Sequence, residues 1–430
     1  MSGPRQVYEF LKASSIAYAR WDYEVSMSII KNRKKLLILL SLLAPILIVS
    51  LLEAAPLLGG KEAYAPAFYS QNIFIVSIAI GLAAGLITGC VGAGGGFITT
   101  PALMAAGVKG ILAVGTDMFH IFAKAIMGTA VHKKLGNVSM KLALGFLVGS
   151  GAGTFVGGTI NRWLYSMDPL LSEAFISSVY SIILGFLGFY ALFDFLRLRK
   201  GSSGGGHAHA SGHSGTPNIA IKLQAIKVPP MITFDEDFVP GGKKISWLVV
   251  AMGGVFVGML ATIMGAGGGF VTFPMFVYVF GVSSMTTVGT DILQIIFTAG
   301  LGSIGQYAIY GYVFYSLAMG MLIGSLIGIQ VGALTTKVVR GIHIRGFYAV
   351  SILAGFINRA ATLPRKLVEL EFINIPKTIT SNIEAAGNII FWFVVGVFGL
   401  WVFAKFFANV GKLREETRVT EIAAKPATSR

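Results

Sequence analysis

Apolar runs of about twenty residues recur along this chain, separated by short polar or basic segments. A helix rises about 1.5 Å per residue, so about twenty apolar residues cover the roughly 30 Å of hydrocarbon in a bilayer. The runs predict crossings at about 36–52, 73–91, 111–131, 141–160, 174–196, 246–264, 285–305, 313–335, 342–358 and 388–407. Two shorter apolar pieces, about 97–107 and 270–281, are too short to span and read as half-helices or re-entrant segments. The pattern predicts an all-α polytopic membrane protein with about ten transmembrane helices in a lipid bilayer.

Composition agrees. Of 430 residues, 54% are hydrophobic and 12% charged, which excludes a soluble domain. The net charge of +15 is not a nucleic-acid signal, because the Lys and Arg flank the apolar runs, where a positive-inside bias places them. "KNRKK" (31–35), "RLRK" (197–200) and the basic C-terminal tail are therefore expected on the cytoplasmic side. Val7, Phe10, Leu11, Ala17, Tyr18 and Trp21 fall on one helical face, which suggests an interfacial helix before the first span. Trp163, Trp247 and Trp392 are expected at span ends as interfacial anchors. Cys90 is the lone cysteine, so neither an internal disulfide nor a cysteine metal cluster is available.

A glycine run occurs twice, "GAGGGFITTP" at 92–101 and "GAGGGFVTFP" at 265–274. "VGTD" follows at 114–117 and again at 288–291, and "LALGFLVGSGAGTFVGG" (142–158) aligns with "LAMGMLIGSLIGIQVGA" (317–333). Two diverged copies of one helical unit make up the chain. The first carries basic "HKKLGN" (132–137) where the second carries uncharged "QYAIYGY" (306–312), so the copies are expected to be inverted. The organisation expected is a cytoplasmic segment 1–35, a first helix and external loop 36–72, repeat 1 over 73–200, a cytoplasmic linker 201–245, repeat 2 over 246–407 with an external loop 359–387, and a tail 408–430.

Backbone that leaves a helix inside a bilayer must be satisfied by protein or by a water-filled cavity. A half-helix starting at the end of each glycine run would aim free amides and its positive dipole end into the break. Gly94, Gly95 and Gly96, with Gly267, Gly268 and Gly269, are therefore candidate anion-binding backbone. Thr99, Thr100 and Thr272 lie just beyond and offer hydroxyls, either to an anion or to their own helix. The same glycines also suit close helix packing. No Gly-Lys-Ser/Thr follows either run, so neither is a P-loop.

Asp117, His120 and Lys124 share one helical face in an otherwise apolar run, and the second copy places Asp291, Gln294 and Thr298 at the same positions. Ionisable groups at membrane depth face a protein interior or a water-filled path. Asp117 and Asp291 are candidates for proton or sodium coupling, the other four for substrate binding. Thr116 and Thr290 are also substrate-binding candidates, and each Thr-Asp pair equally suits a helix cap.

With these residues in view, the chain resembles the sulfite exporter TauE/SafE family of membrane permeases, built of two halves that each carry a glycine-rich run ending in proline and a Gly-Thr segment downstream. The resemblance covers about 73–200 and 246–407. It implies a permease for a small anion, sulfite or an organosulfonate such as sulfoacetate, working outward in a bacterial inner membrane with both termini cytoplasmic. Asp117 and Asp291 depart from the Gly-Thr-Ser expected of the family, and a carboxylate beside a sulfonate must be protonated, ion-paired or coordinating a cation. The rival readings are a proton- or sodium-coupled transporter of another small anion or metabolite, and a membrane sensor or metal-handling protein using His207, His209 and His213 of the linker. No nucleotide loop, metal cluster or nucleophile paired with a base is present, so no enzyme, cofactor or metal site is expected. The sequence specifies no oligomeric state.

Overall fold

The computed structural model describes residues 71–91, 95–132, 139–201, 218–235, 242–336, 338–339 and 341–409. The expected N-terminal helix, the first span, Gly94, the linker histidines and nearly all of the tail lie outside the described residues.

The described chain is almost wholly helical. Its helices are α1 (Gln71–Val91), α2 (Gly96–Ala105), α3 (Gly110–His132), α4 (Met140–Met167) and α5 (Pro169–Gly201), then α6 (Asn218–Gln224), and, after a short hairpin, α7 (Trp247–Met264), α8 (Gly269–Pro274), α9 (Ser284–Gly302), α10 (Tyr315–Thr336), α11 (Gly341–Glu369) and α12 (Lys377–Ala408). A wider π-helical turn, Met275–Phe280, extends α8, and another, Ser303–Tyr307, extends α9. Among the described residues seven helices are long and apolar enough to cross a membrane, namely α1, α4, α5, α7, α10, α11 and α12. The protein is an all-α polytopic membrane protein. α3 and α9, expected as crossings, are not among those seven. The short pieces are short helices, as their length required.

Large apolar side chains stand exposed on the outer helices, for example Phe186 on α5 and Leu400 on α12. In water such a surface would aggregate, whereas beside lipid tails it costs nothing.

The two halves interlock. α1 packs on α10 and α7 packs on α4, so each half lends its first helix to the fourth helix of the other. Both contacts are glycine seams, because lipid gives helices no hydrophobic reason to associate and close backbone approach must supply the attraction. A Cβ on Gly328 would lie 2.7 Å from Leu86 N, and one on Gly258 would lie 2.7 Å from Ser150 Cα.

The direction of packing establishes the inversion. Along α3 and α9, Gly302 faces Met118 and Gly300 faces Phe122, while Gly115 faces Tyr307. Along α5 and α11, Gly185 faces Phe356, Gly188 faces Leu353 and Gly346 faces Phe195. Equivalent helices of the two halves therefore run antiparallel, as a pseudo-two-fold axis in the membrane plane requires.

Two expectations need correction. The loop expected at 359–387 is helical except for a turn at 370–376, and several of its charges pair across helices. Arg365 donates to Glu369 at 2.9 Å and to Glu384 on α12 at 2.8 Å, and Lys366 meets Glu173 at 2.7 Å. The linker's described end forms α6 and a hairpin of β1 (Met231–Phe234) and β2 (Lys243–Ser246), antiparallel with Ile232 opposite Ile245. It anchors α8 and α9, since Gln224 and Lys243 donate to the carbonyls of Phe280 and Gly281, and Asp235 accepts from Ser283 N and Oγ, both at 2.8 Å. Trp392 lies mid-helix in α12 rather than at an end, where its indole packs beside Phe391.

Candidate functional site

The glycine runs break the chain where the two halves meet. In the second, Gly267 and Gly268 have φ of +64° and +88°, a left-handed backbone that turns the chain from α7 into α8. In the first, a Cβ on Gly96 would lie 2.7 Å from Ala266 O, so one break lies against the other.

The carbonyls at the end of α7 are satisfied by protein. Tyr307 donates to Thr262 O at 2.6 Å, Asn161 reaches Ile263 O at 3.5 Å, Tyr180 donates to Met264 O at 2.5 Å, and Gly265 N bonds Ala261 O. The half-helix amides differ. Ile98 and Thr99 bond back to Gly95 O, and Val271 and Thr272 to Gly268 O. The first amides of each half-helix, on Gly96 and Phe97 and on Gly269 and Phe270, have no acceptor among the described residues. The second break thus closes its negative helix end, and among the described residues the first amides of both half-helices are left without an acceptor.

Carboxylates approach those ends. In the first half Thr99 donates a very short bond to Asp117 Oδ2, and Thr100 donates to the same oxygen at 2.9 Å. Asp117 Oδ1 lies 3.3 Å from His120 Nδ1, and His120 Nε2 lies 2.7 Å from Ser325 Oγ, which also reaches Gly81 O at 3.1 Å. Lys124 donates to Thr88 at 3.4 Å, and Thr88 holds the Gly95 amide at 2.9 Å, so the ammonium stands beside the break.

The second half repeats this plan with neutral groups. Gln294 Nε2 donates to Asp291 Oδ1 and to Thr272 Oγ1, both at 3.0 Å. Thr298 donates to Gln294 Oε1 at 2.8 Å and lies 3.0 Å from Ser150 Oγ. A Cβ on Gly269 would lie 3.4 Å from Asp291 Oδ2, which puts that carboxylate at the start of α8. Asp117, His120, Thr99, Thr100, Thr272, Asp291, Gln294 and Thr298 are all buried.

Ser150 and Ser325 were absent from the candidates, although the aligned glycine stretches put them at equivalent positions. Each closes the polar network of the other half, because α4 and α10 pack across the axis. Tyr180, Asn161 and Tyr307 were also missed, since single polar residues in apolar runs carry no spacing signal.

Thr116 and Thr290 do not join the cluster. Thr116 Oγ1 accepts from Phe314 N at 3.0 Å and Thr290 Oγ1 accepts from Ser139 N at 3.1 Å, so each caps the helix that begins in the opposite half. They are caps, but of α10 and α4 rather than of their own helices.

The sulfite exporter TauE/SafE family model matches residues 77–358. The chain belongs to this family. It is also similar to two proteins of Bacillus subtilis (strain 168), probable membrane transporter protein YunE, 24% identical over 272 residues, and probable membrane transporter protein YjnA, 24% identical over 261, each alignment covering 60% of this chain and 87% of the relative. A probable membrane transporter protein of Xylella fastidiosa (strain 9a5c) is 24% identical over 264 residues, 60% of this chain and 84% of the relative. No solved structure matches. Family and fold together make this a multi-pass membrane transporter. Its matched region contains both breaks and both polar networks and ends at Asn358.

Proposed function

We propose that this chain is a permease for a small sulfur oxyanion or sulfonate, sulfite or an organosulfonate such as sulfoacetate, working outward across a bacterial inner membrane with both termini cytoplasmic. The observation that carries the reading is the pair of half-helix N-termini at the pseudo-two-fold axis, whose first amides have no acceptor among the described residues, each with a threonine hydroxyl one turn along. Lys124 adds a cation on the first side. In this reading the substrate sits between the breaks and the interlocked halves rock about it.

Asp117 and Asp291 occupy the ground an anion would want. A substrate anion enters only where the neighbouring carboxylate is neutralised or turned aside, so anion movement is linked to a proton or another cation. The Asp117–His120–Ser325 chain has the chemistry for a proton. With Ser325 donating to His120 Nε2, His120 Nδ1–H faces an ionised Asp117. With Ser325 donating to Gly81 O instead, Nε2 carries a hydrogen and the Asp117–His120 contact holds a further one. The two wirings differ by one proton and by no heavy-atom movement. This favours, as a second reading, a proton-coupled transporter of some other small anion.

The test is flux in proteoliposomes of labelled sulfite, sulfate, sulfoacetate and taurine, with and without proton and sodium gradients, beside a Gly95→Leu, Gly268→Leu double variant. Flux of a sulfur anion that the double variant abolishes supports the permease and its path. Folded protein that moves none of them, yet moves another anion with protons, transfers the assignment to the second reading.

A further inference from the structure

Arg359 is 2% exposed, deep in α11. Its Nε and Nη2 donate to Asn358 Oδ1, at 2.8 and 2.5 Å, and its Nη1 points at Met104 Sδ at 3.2 Å. Among the described residues no carboxylate lies within salt-bridge distance of it. The nearby acids are committed elsewhere, Glu173 to Lys366 at 2.7 Å and Glu384 to Arg365 at 2.8 Å. A guanidinium has five N–H donors, and a thioether is a weak acceptor for one of them. A buried charge is expensive unless paired, and at membrane depth an ionisable residue marks a functional position.

Its place bears on the candidate site. Met104 lies four residues after Thr100, on the same face of α2 and about 6 Å further from the break. Arg359 therefore stands one helical turn beyond the hydroxyls that hold Asp117, on the side of the α2–α3 turn. Asn358 is itself fixed, its amide donating to Asn388 Oδ1 on α12 at 2.6 Å, so the guanidinium plane is held from two helices.

We propose that Arg359 is a second binding station for the transported anion, on the α2–α3 side of the breaks, holding a small oxyanion through two of its oxygens after it leaves them. This rests on the anion-permease reading and adds a second station to it. A guanidinium fork matches two oxygens of one sulfite, sulfonate or carboxylate group and has no such match with a spherical halide. The site is closed in this conformation and becomes accessible as the bundle opens on the α2–α3 side. It lies one residue past the family match, so the family resemblance does not supply it.

The experiment is a melting titration of the full chain in detergent with sodium sulfite, sodium methanesulfonate and sodium chloride at matched ionic strength, on wild type, Arg359→Lys, Arg359→Gln and Met104→Leu. The two oxyanions should raise the wild-type midpoint and chloride should not. The half-saturating concentration should rise at least tenfold in Arg359→Gln and less in Arg359→Lys, with Met104→Leu close to wild type. Wild-type affinity in Arg359→Gln overturns the proposal, as does a wild type that responds to neither oxyanion. If Arg359→Gln does not fold, unchanged affinity in Arg359→Lys overturns it. Flux is read separately: binding through Arg359 without transport would sink the permease reading and leave this site, and transport with Arg359-independent binding would do the reverse.

Discussion

Phe97 and Phe270 hold equivalent positions in the two repeats, and their rings meet with centroids 6.1 Å apart, tilted by 48°. A residue that touches its own repeat equivalent lies beside the pseudo-two-fold axis. Both rings are buried. The pair therefore closes the space between the two half-helix ends in this conformation, and any path between the breaks has to part them.

Parting should be visible as coupling. Phe97→Leu and Phe270→Leu should each lower thermal stability modestly, and the double variant should deviate from additivity by about 0.5–1.5 kcal/mol, the worth of an aromatic pair beyond its area. Additive behaviour in a melting series would mean that the rings do not meet in solution.

The glycine seams predict sharp position dependence on one helix. A Cβ on Gly149 would fall on the Ala251 carbonyl, whereas one on Gly151 meets only Leu301 Cδ1 at 3.7 Å. Gly149→Leu should abolish folded yield by size-exclusion chromatography. Gly151→Leu should stay within about 1 kcal/mol of wild type, as a substitution in open space does.

His120→Gln gives the first half the neutral chemistry of the second. The amide can still join Asp117 to Ser325, so the fold should persist while the site loses its titrating imidazole. The expected result is anion flux that continues down a concentration gradient but is no longer driven by a pH gradient. Unchanged driving by the pH gradient would remove His120 from the coupling.

The two serines should not be equally tolerant. Ser325→Ala leaves His120 Nε2 buried without its partner, at a cost of about 1–3 kcal/mol. Ser150→Ala leaves Thr298 still bonded to Gln294 and should cost about 1 kcal/mol or less. Chemical or thermal denaturation of the two variants side by side measures the difference.

Much of this was legible in the residues. Run length identified the long helices and the two short ones, because a bilayer imposes a fixed thickness on whatever crosses it. The doubled "GAGGGF" and "VGTD" fixed the repeat, and the shared face of Asp117 and His120 fixed one polar network, because helical spacing is local and can be read along the chain. What the tertiary structure alone decided is who meets whom across the axis. His120 and Ser325 are 205 residues apart and Thr298 and Ser150 are 148 apart, and they meet only because each half lends its first helix to the fourth helix of the other. Thr116 and Thr290 left the candidate site for the same reason, their hydroxyls being drawn to helix starts in the opposite half. Arg359 sat in a segment whose charges looked like a loop, until packing paired its neighbours and buried it. Lipid rewards apolar surface wherever it lies, so hydropathy sets which segments enter the membrane, while the choice of partners rests on backbone fit and hydrogen bonds that no local pattern records.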